Sequence, residues 1–195
     1  LHLCDRRQRQ MCIRDSVVGP YIAIFTEWLG NLININVDKH PFIGGIVISV
    51  SMGMFLTLPI SSAAIGIMLG LSGLASGAAT IGCCCQMVGF AVMSFKENKV
   101  GGLISQGIGT SMLQMPNIIR HPQIWIPPIL SSAILAPVST MVFKMVSNPV
   151  GSGMGTSGLV GQFSAYAVMV GAGTHPATAV IQIMAIHFIL PALVP

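Results

Sequence analysis

Uncharged side chains that form hydrogen bonds recur at helical spacing in one stretch of the chain. Gln106, Thr110, Gln114 and Asn117 follow one another at intervals of four, four and three residues. On one continuous helix this spacing places them on a single face. Amides and hydroxyls donate or accept hydrogen bonds without the desolvation cost of a charge. The stripe predicts contacts to a ligand rich in hydroxyl groups, and the alternative is a polar seam between packed helices.

A second set of polar groups lies in a glycine-rich segment, residues 152–158, with the spacing G-x-G-x-x-G. No Asp or Glu follows it to bind a ribose and no strand–helix–strand pattern frames it, which argues against a dinucleotide site. We expect an irregular loop whose Thr156 and Ser157 hydroxyls line a cavity, a geometry tolerated at membrane depth only inside protein. A plain surface turn is the alternative.

Two ionisable residues fall in apolar surroundings, where such groups usually face a cavity or a partner. Glu27 shares a helical face with Asn31 and Asn34. It either lines a substrate cavity or lies near the lipid headgroups at the end of its helix. His187 lies deep in an apolar helix, as a residue of the substrate pathway or as a packing histidine.

No arrangement predicts a self-contained catalytic, metal or cofactor site. Cys83, Cys84 and Cys85 are consecutive, so on a helix they point about 100° apart and cannot converge on one metal. His175 and His187 would lie about 18 Å apart along a helix. The chain also contains no HExxH sequence and no Walker lysine.

The elements that position these residues must cross a membrane. Positions 40–95 and 145–195 contain no Asp, Glu, Lys or Arg, and charged residues make up 7 % of the chain, against roughly 25 % in soluble domains. A crossing helix needs about 20 apolar residues. We therefore predict an all-α polytopic membrane protein. The basic residues show no clustered nucleic-acid footprint beyond the first sixteen positions.

We expect about six or seven transmembrane or re-entrant helices. Their predicted ranges are 17–35, 42–58, 61–95 in two pieces divided near Ser76 and Gly77, 125–146, 159–171 and 177–193. The segment 100–115 is less apolar. The charged run Lys96–Lys99 is predicted as a hydrophilic loop and 147–158 as a glycine-rich loop. Pro127, Pro128 and Pro137 predict a kink.

The first sixteen residues differ from the rest of the chain. They are polar, the composition changes abruptly at Val17, and residues 11–16 look like translated adapter sequence. We expect residues 1–16 to be a non-native or disordered tail and 17–195 to be a partial membrane domain.

Four strings resemble the membrane-embedded IIC components of the bacterial phosphoenolpyruvate-dependent sugar phosphotransferase system. They are LPISSAAIGIMLGLSGLASGAATIGC (58–83), GIGTSMLQMPNIIR (107–120), WIPP (125–128) and GMGTSGLVGQ (153–162). The resemblance covers residues 17–195, as the C-terminal half of a larger helical carrier domain.

The resemblance implies a carrier that binds a sugar and presents it to a phosphorylated IIB partner, itself supplied by IIA. The membrane chain would then carry no phosphoryl group and would be at most the carrier subunit of a phosphotransferase. Better-known IIC families place a Glu and a His around the sugar, but Glu27 and His187 do not match those positions. The Lys96–Lys99 run is the candidate docking edge for IIB.

This reading implies a multi-pass protein of the bacterial inner membrane, with a homodimer expected and no cofactor. The candidate substrate-binding residues are Gln106, Thr110, Gln114, Asn117, Thr156, Ser157, Glu27 and His187. One alternative is a membrane-embedded regulator without phosphotransfer. The other is an ion-coupled secondary transporter, which normally needs several buried carboxylates.

Overall fold

The computed structural model describes residues 24, 28, 31, 33–58 and 61–194. Within these ranges the chain is 85 % helical and has no β-strand, which confirms the all-α prediction. Three helices are long and apolar enough to cross a membrane: Gly73–Met93, Pro122–Val142 and Pro176–Leu193. The predicted tail, residues 1–16, and most of the first predicted helix lie outside the described residues.

The helices are named here in chain order. The first four are α1 (Pro41–Thr57), α2 (Ser62–Met68), α3 (Gly73–Met93) and α4 (Phe95–Ile104). The others are α5 (Met115–Arg120), α6 (Pro122–Val142), α7 (Pro149–Ser152), α8 (Val160–Gly171) and α9 (Pro176–Leu193). The described part of the chain contains three short π-helical segments: Ser105–Gly109 after α4, Val138–Val142 at the end of α6, and Ala185–Ile189 within α9.

Helix α3 forms the centre of the molecule. Every residue from Ala75 to Ala91 is buried, and α1 and α6 pack against the helix. Small residues make this possible because they let helix backbones approach closely. At Gly82 an added Cβ would collide with the backbone carbonyl of Ser49 on α1. The three cysteines of α3 are fully buried and fill space in this core.

The predicted division of 61–95 at Ser76 and Gly77 is wrong. The structure divides this stretch earlier, between α2 and α3, where Gly70 and Gly73 have φ of +56° and +57°. Gly77 is helical instead, and its missing side chain lets the carbonyl of Met145 pack against α3.

Two other boundaries also differ from the prediction. The helix before α1 continues to residue 39, past the predicted end at Ile35. The Lys96–Lys99 run is part of α4 rather than a loop, although Lys99 interrupts the helix with φ 48° and ψ −145°. The predicted irregularity around Pro137 is present as the π segment that follows this proline.

Candidate functional site

A polar pocket of about 380 Å³ lies between α4 and α5. Its volume falls within the roughly 300–1,000 Å³ typical of small-molecule sites. The residues that line it are Asn98, Gly101, Gly102, Ser105, Gln106, Leu113, Gln114 and Asn117. None of these eight side chains is ionisable, so the pocket offers hydrogen bonds without net charge.

A chain of hydrogen bonds orients the amides of the pocket. Gln106 Oε1 accepts from Gln114 Nε2 at 3.0 Å and from Ser94 Oγ at 3.2 Å. Asn117 Nδ2 in turn donates to Gln114 Oε1 at 2.9 Å. Among the described residues, Gln106 Nε2 and Asn117 Oδ1 have no partner. One donor and one acceptor therefore remain for a ligand.

The premise of one continuous helix beneath the polar stripe is wrong. After α4 the backbone passes through the π segment Ser105–Gly109, and Thr110 is extended with φ −156° and ψ 142°. The hydroxyl of Thr110 accepts from the backbone N–H of Met112 at 3.2 Å and caps the next turn. The fold therefore brings Gln106, Gln114 and Asn117 together and leaves Thr110 out of the pocket lining.

The predicted loop residues Thr156 and Ser157 support the pocket from behind. Thr156 is fully buried, which agrees with an irregular loop inside protein rather than a surface turn. Its hydroxyl donates to the carbonyl of Gly107, and Ser157 Oγ donates to the carbonyl of Gly109 at 2.9 Å. Both hydroxyls thus hold the π segment that carries Gln106, and neither lines the pocket.

His187 lies elsewhere, between α8, α9 and α3. Its side chain is 1 % exposed and its Nδ1 lies 3.3 Å from Gln162 Nε2, which also contacts Cys84 Sγ at 3.6 Å. The histidine does not line the polar pocket, and this geometry favours the packing interpretation. Within the described part of the chain, no three His, Cys, Asp or Glu side chains are placed to share a metal ion.

The predicted polar face of the first helix is only partly described. Glu27 lies outside the described residues, and Asn31 is exposed. Asn34 Nδ2 donates to the carbonyl of Gly70 at 3.0 Å, and its Oδ1 accepts from the backbone N–H of Ser72 at 3.4 Å. Asn34 therefore fastens the turn between α2 and α3.

Sequence reasoning missed three polar residues of the site. Asn98 and Ser105 line the pocket, and Ser94 bonds to Gln106. Ser94 and Asn98 are four residues apart, and Asn98 and Ser105 are seven apart, which is the spacing of one helical face. The signal was hidden because the charged run around Asn98 suggested a loop.

The comparisons with known proteins agree with this architecture. The family model for the phosphotransferase system, EIIC, matches residues 15–195. No curated protein and no solved structure matches the chain. With three helices able to cross a membrane and a family match over nearly its whole length, the chain belongs to the EIIC family, the membrane components of sugar phosphotransferase systems.

Proposed function

We propose that this chain binds a sugar in the polar pocket between α4 and α5, translocates it, and presents it to a phosphorylated IIB partner. The observation that carries the proposal is the hydrogen-bonded amide set of Gln106, Gln114 and Asn117. Sugar hydroxyls both donate and accept, and the pocket offers Gln106 Nε2 as donor and Asn117 Oδ1 as acceptor. Neutral groups can bind such a ligand without burying a charge.

Charged residues beside the pocket suit a phosphorylated partner. Lys96 and Lys99 are exposed on α4 and flank Asn98, which lines the pocket. Positive side chains at the rim of an interface attract a negatively charged partner and speed its encounter. We propose this rim as the docking edge for IIB, so that the phosphoryl donor and the sugar meet at one end of the molecule. The chain itself carries no phosphoryl group in this scheme.

An ion-coupled transporter has less support. The only Asp and Glu residues in the described part of the chain, Asp38 and Glu97, are both exposed. Ion-coupled carriers normally place carboxylates inside the membrane, facing the ion path. The proposal also includes IIA as the source of phosphoryl groups for IIB, a homodimeric assembly, and a multi-pass location in the bacterial inner membrane.

Sugar binding can be tested separately from phosphotransfer. A bound ligand stabilises the folded state by RT ln(1 + [L]/Kd), so the pocket's sugar should raise the unfolding temperature of the purified full-length protein. The probes are a panel of aldohexoses, hexitols and disaccharides at millimolar concentration. In Gln114→Leu the hydrogen bond to Gln106 is lost, and we expect the stabilising sugar to bind about 5- to 150-fold more weakly, from roughly 1–3 kcal/mol.

The matched control is Gln123→Leu, the same change at an exposed position outside the pocket lining. It should keep the full response to the sugar. Equal sugar affinity in the Gln114 variant and the native protein would contradict the assignment of the pocket.

A further inference from the structure

A string of residues occurs twice in the chain. Residues 62–74 read SAAIGIMLGLSGL and residues 147–159 read SNPVGSGMGTSGL, which places the two strings 85 positions apart. Six of the thirteen positions are identical. The identical pairs are Ser62/Ser147, Gly66/Gly151, Gly70/Gly155, Ser72/Ser157, Gly73/Gly158 and Leu74/Leu159.

The repeated glycines adopt the same unusual backbone conformation. Gly70 and Gly73 have φ of +56° and +57°, and both Gly155 and Gly158 have φ of +54°. This left-handed region favours glycine because it has no Cβ. The segments 70–74 and 155–159, the first and second elbow, therefore share two left-handed glycines at equivalent positions. They differ at the last residue, where Leu159 has φ of 60° and Leu74 is helical.

The surrounding helices follow the same order. Adding 85 to the residue numbers of α1, Pro41–Thr57, gives 126–142. This range covers α6 from Ile126, where its α-helical part begins, to its last residue. Each of these helices is followed by a short helix, an elbow and another helix. The first copy ends in the 21-residue α3 and the second in the 12-residue α8, so the copies differ mainly in the length of their last helix.

The two copies pack against each other in opposite directions. Ser62 Oγ donates to the carbonyl of Gly153 at 2.6 Å. Further along the first copy, Gly73 pairs with Ser147 in an isolated antiparallel bridge. Residue numbers therefore rise along the first copy while they fall along the second.

A close approach at Gly66 brings the two copies together near their equivalent glycines. A Cβ at Gly66 would collide with the Ser152 side chain and the carbonyl of Pro149. These two residues flank Gly151, the position equivalent to Gly66 itself. Near a local two-fold axis, a residue of one copy lies close to the same residue of the other copy. Gly66 and Gly151 are such a pair.

The elbows lie far apart along α3. Gly73 of the first elbow is the first residue of α3, whereas the Thr156 hydroxyl of the second elbow contacts Met87 Sδ at 3.4 Å. Gly155 of the second elbow packs against Cys83, so this elbow lies ten to fourteen helical residues beyond Gly73, which corresponds to about 15–21 Å. Along α3, which is long enough to cross a membrane, the first elbow lies at the amino end and the second lies between the middle of the helix and its carboxyl end.

We propose that residues 41–93 and 126–171 are two copies of one unit, inverted relative to each other across the membrane, and that the two elbows form opposite ends of the sugar path. Carriers built from inverted repeats place their substrate site at the repeat interface, next to interrupted helices. The second elbow holds the backbone beside Gln106 and so adjoins the polar pocket. The first elbow, fastened by Asn34, is the corresponding gate on the other side.

This proposal rests on the proposed function for the identity of the sugar, but its test needs neither sugar nor IIB. Ser72→Cys and Ser157→Cys are made singly in the full-length chain, with Cys4 and Cys12 replaced by Ser. Cys83, Cys84 and Cys85 stay, since all three are fully buried. A membrane-impermeant maleimide is added to right-side-out and to inside-out vesicles, and the parent without either new cysteine is the control.

We expect the two new cysteines to react from opposite faces, each at least tenfold faster from its own side. Adding Asn34→Ala should speed labelling at position 72 several-fold and leave position 157 unchanged, because Asn34 holds only the first elbow. Labelling of both positions from the same face would overturn the inverted arrangement. If either cysteine reacts from neither face, the proposal that the elbows form the ends of the sugar path would be overturned.

Discussion

At the residue scale, Thr156 links the glycine-rich loop to the polar pocket. Its buried hydroxyl donates to the carbonyl of Gly107, the neighbour of Gln106. A buried carbonyl that loses its donor pays the full cost of desolvation, roughly 1–3 kcal/mol. The position of Gln106 therefore depends on a residue that does not itself line the pocket.

We predict that Thr156→Val, which keeps the side-chain shape, lowers the unfolding temperature of the purified protein and weakens sugar binding about tenfold. The reason is that Gly107 loses its donor and the π segment is released. Thermal unfolding with and without sugar measures both effects. Thr178→Val, at an exposed position on α9, serves as the control. Unchanged sugar binding in the Thr156 variant would contradict the role of this loop in positioning Gln106.

The pocket residues were partly predictable from the sequence. Gln106, Gln114 and Asn117 share an uncharged character that marked them as candidates, and they are close in space. The reason given for their proximity was wrong, because the chain leaves the helix at Thr110 and folds back. Tertiary packing decides such a break, since Thr156 and Ser157 hold the carbonyls on either side of Ile108 from 48 or more residues away.

At the scale of the elements, close helix packing around α3 depends on the absence of side chains. Gly82 of α3 lies against the backbone carbonyl of Ser49 on α1, with no room for a methyl group. In a membrane, helix association depends on such packing because lipid tails are as apolar as leucine. The contact between α1 and α3 should therefore be sensitive to a single added carbon.

We predict that Gly82→Ala destabilises the protein by about 1–3 kcal/mol, the usual cost of overpacking a core. The loss should be visible as a lower unfolding temperature in detergent. Gly101→Ala is the matched control, because a Cβ at Gly101 meets nothing within 4 Å. If the two variants unfold at the same temperature, the close contact at Gly82 is not what holds α1 to α3.

Helix existence was predictable at this scale and the turns were not. Uninterrupted apolar length indicated α1, α3, α6 and α9 because a crossing helix needs a minimum number of apolar residues. The positions of the glycines in the sequence did not predict where the turns between helices lie. Gly73 adopts a positive φ and begins α3, whereas Gly77 stays helical beneath the carbonyl of Met145. Only the packed structure distinguishes these two uses of glycine.

At the scale of the whole molecule, the parts of the candidate site lie at one end of α3. The polar pocket, the exposed Lys96 and Lys99, and the second elbow all lie near the carboxyl end of this helix. A phosphoryl donor that docks on the lysines would reach a sugar held by Gln106 and Asn117. The proposed function therefore places sugar binding on this chain and phosphoryl donation on a separate protein.

The central claim is that this chain positions the sugar and never carries the phosphoryl group. The direct measurement uses sealed vesicles that contain the full-length protein, the stabilising sugar and IIB phosphorylated with radiolabelled phosphate. We predict that label passes from IIB to the sugar only in vesicles that contain the membrane chain, and that the membrane chain itself stays unlabelled. Stable label on His175 or His187, or accumulation of unmodified sugar without IIB, would contradict the account.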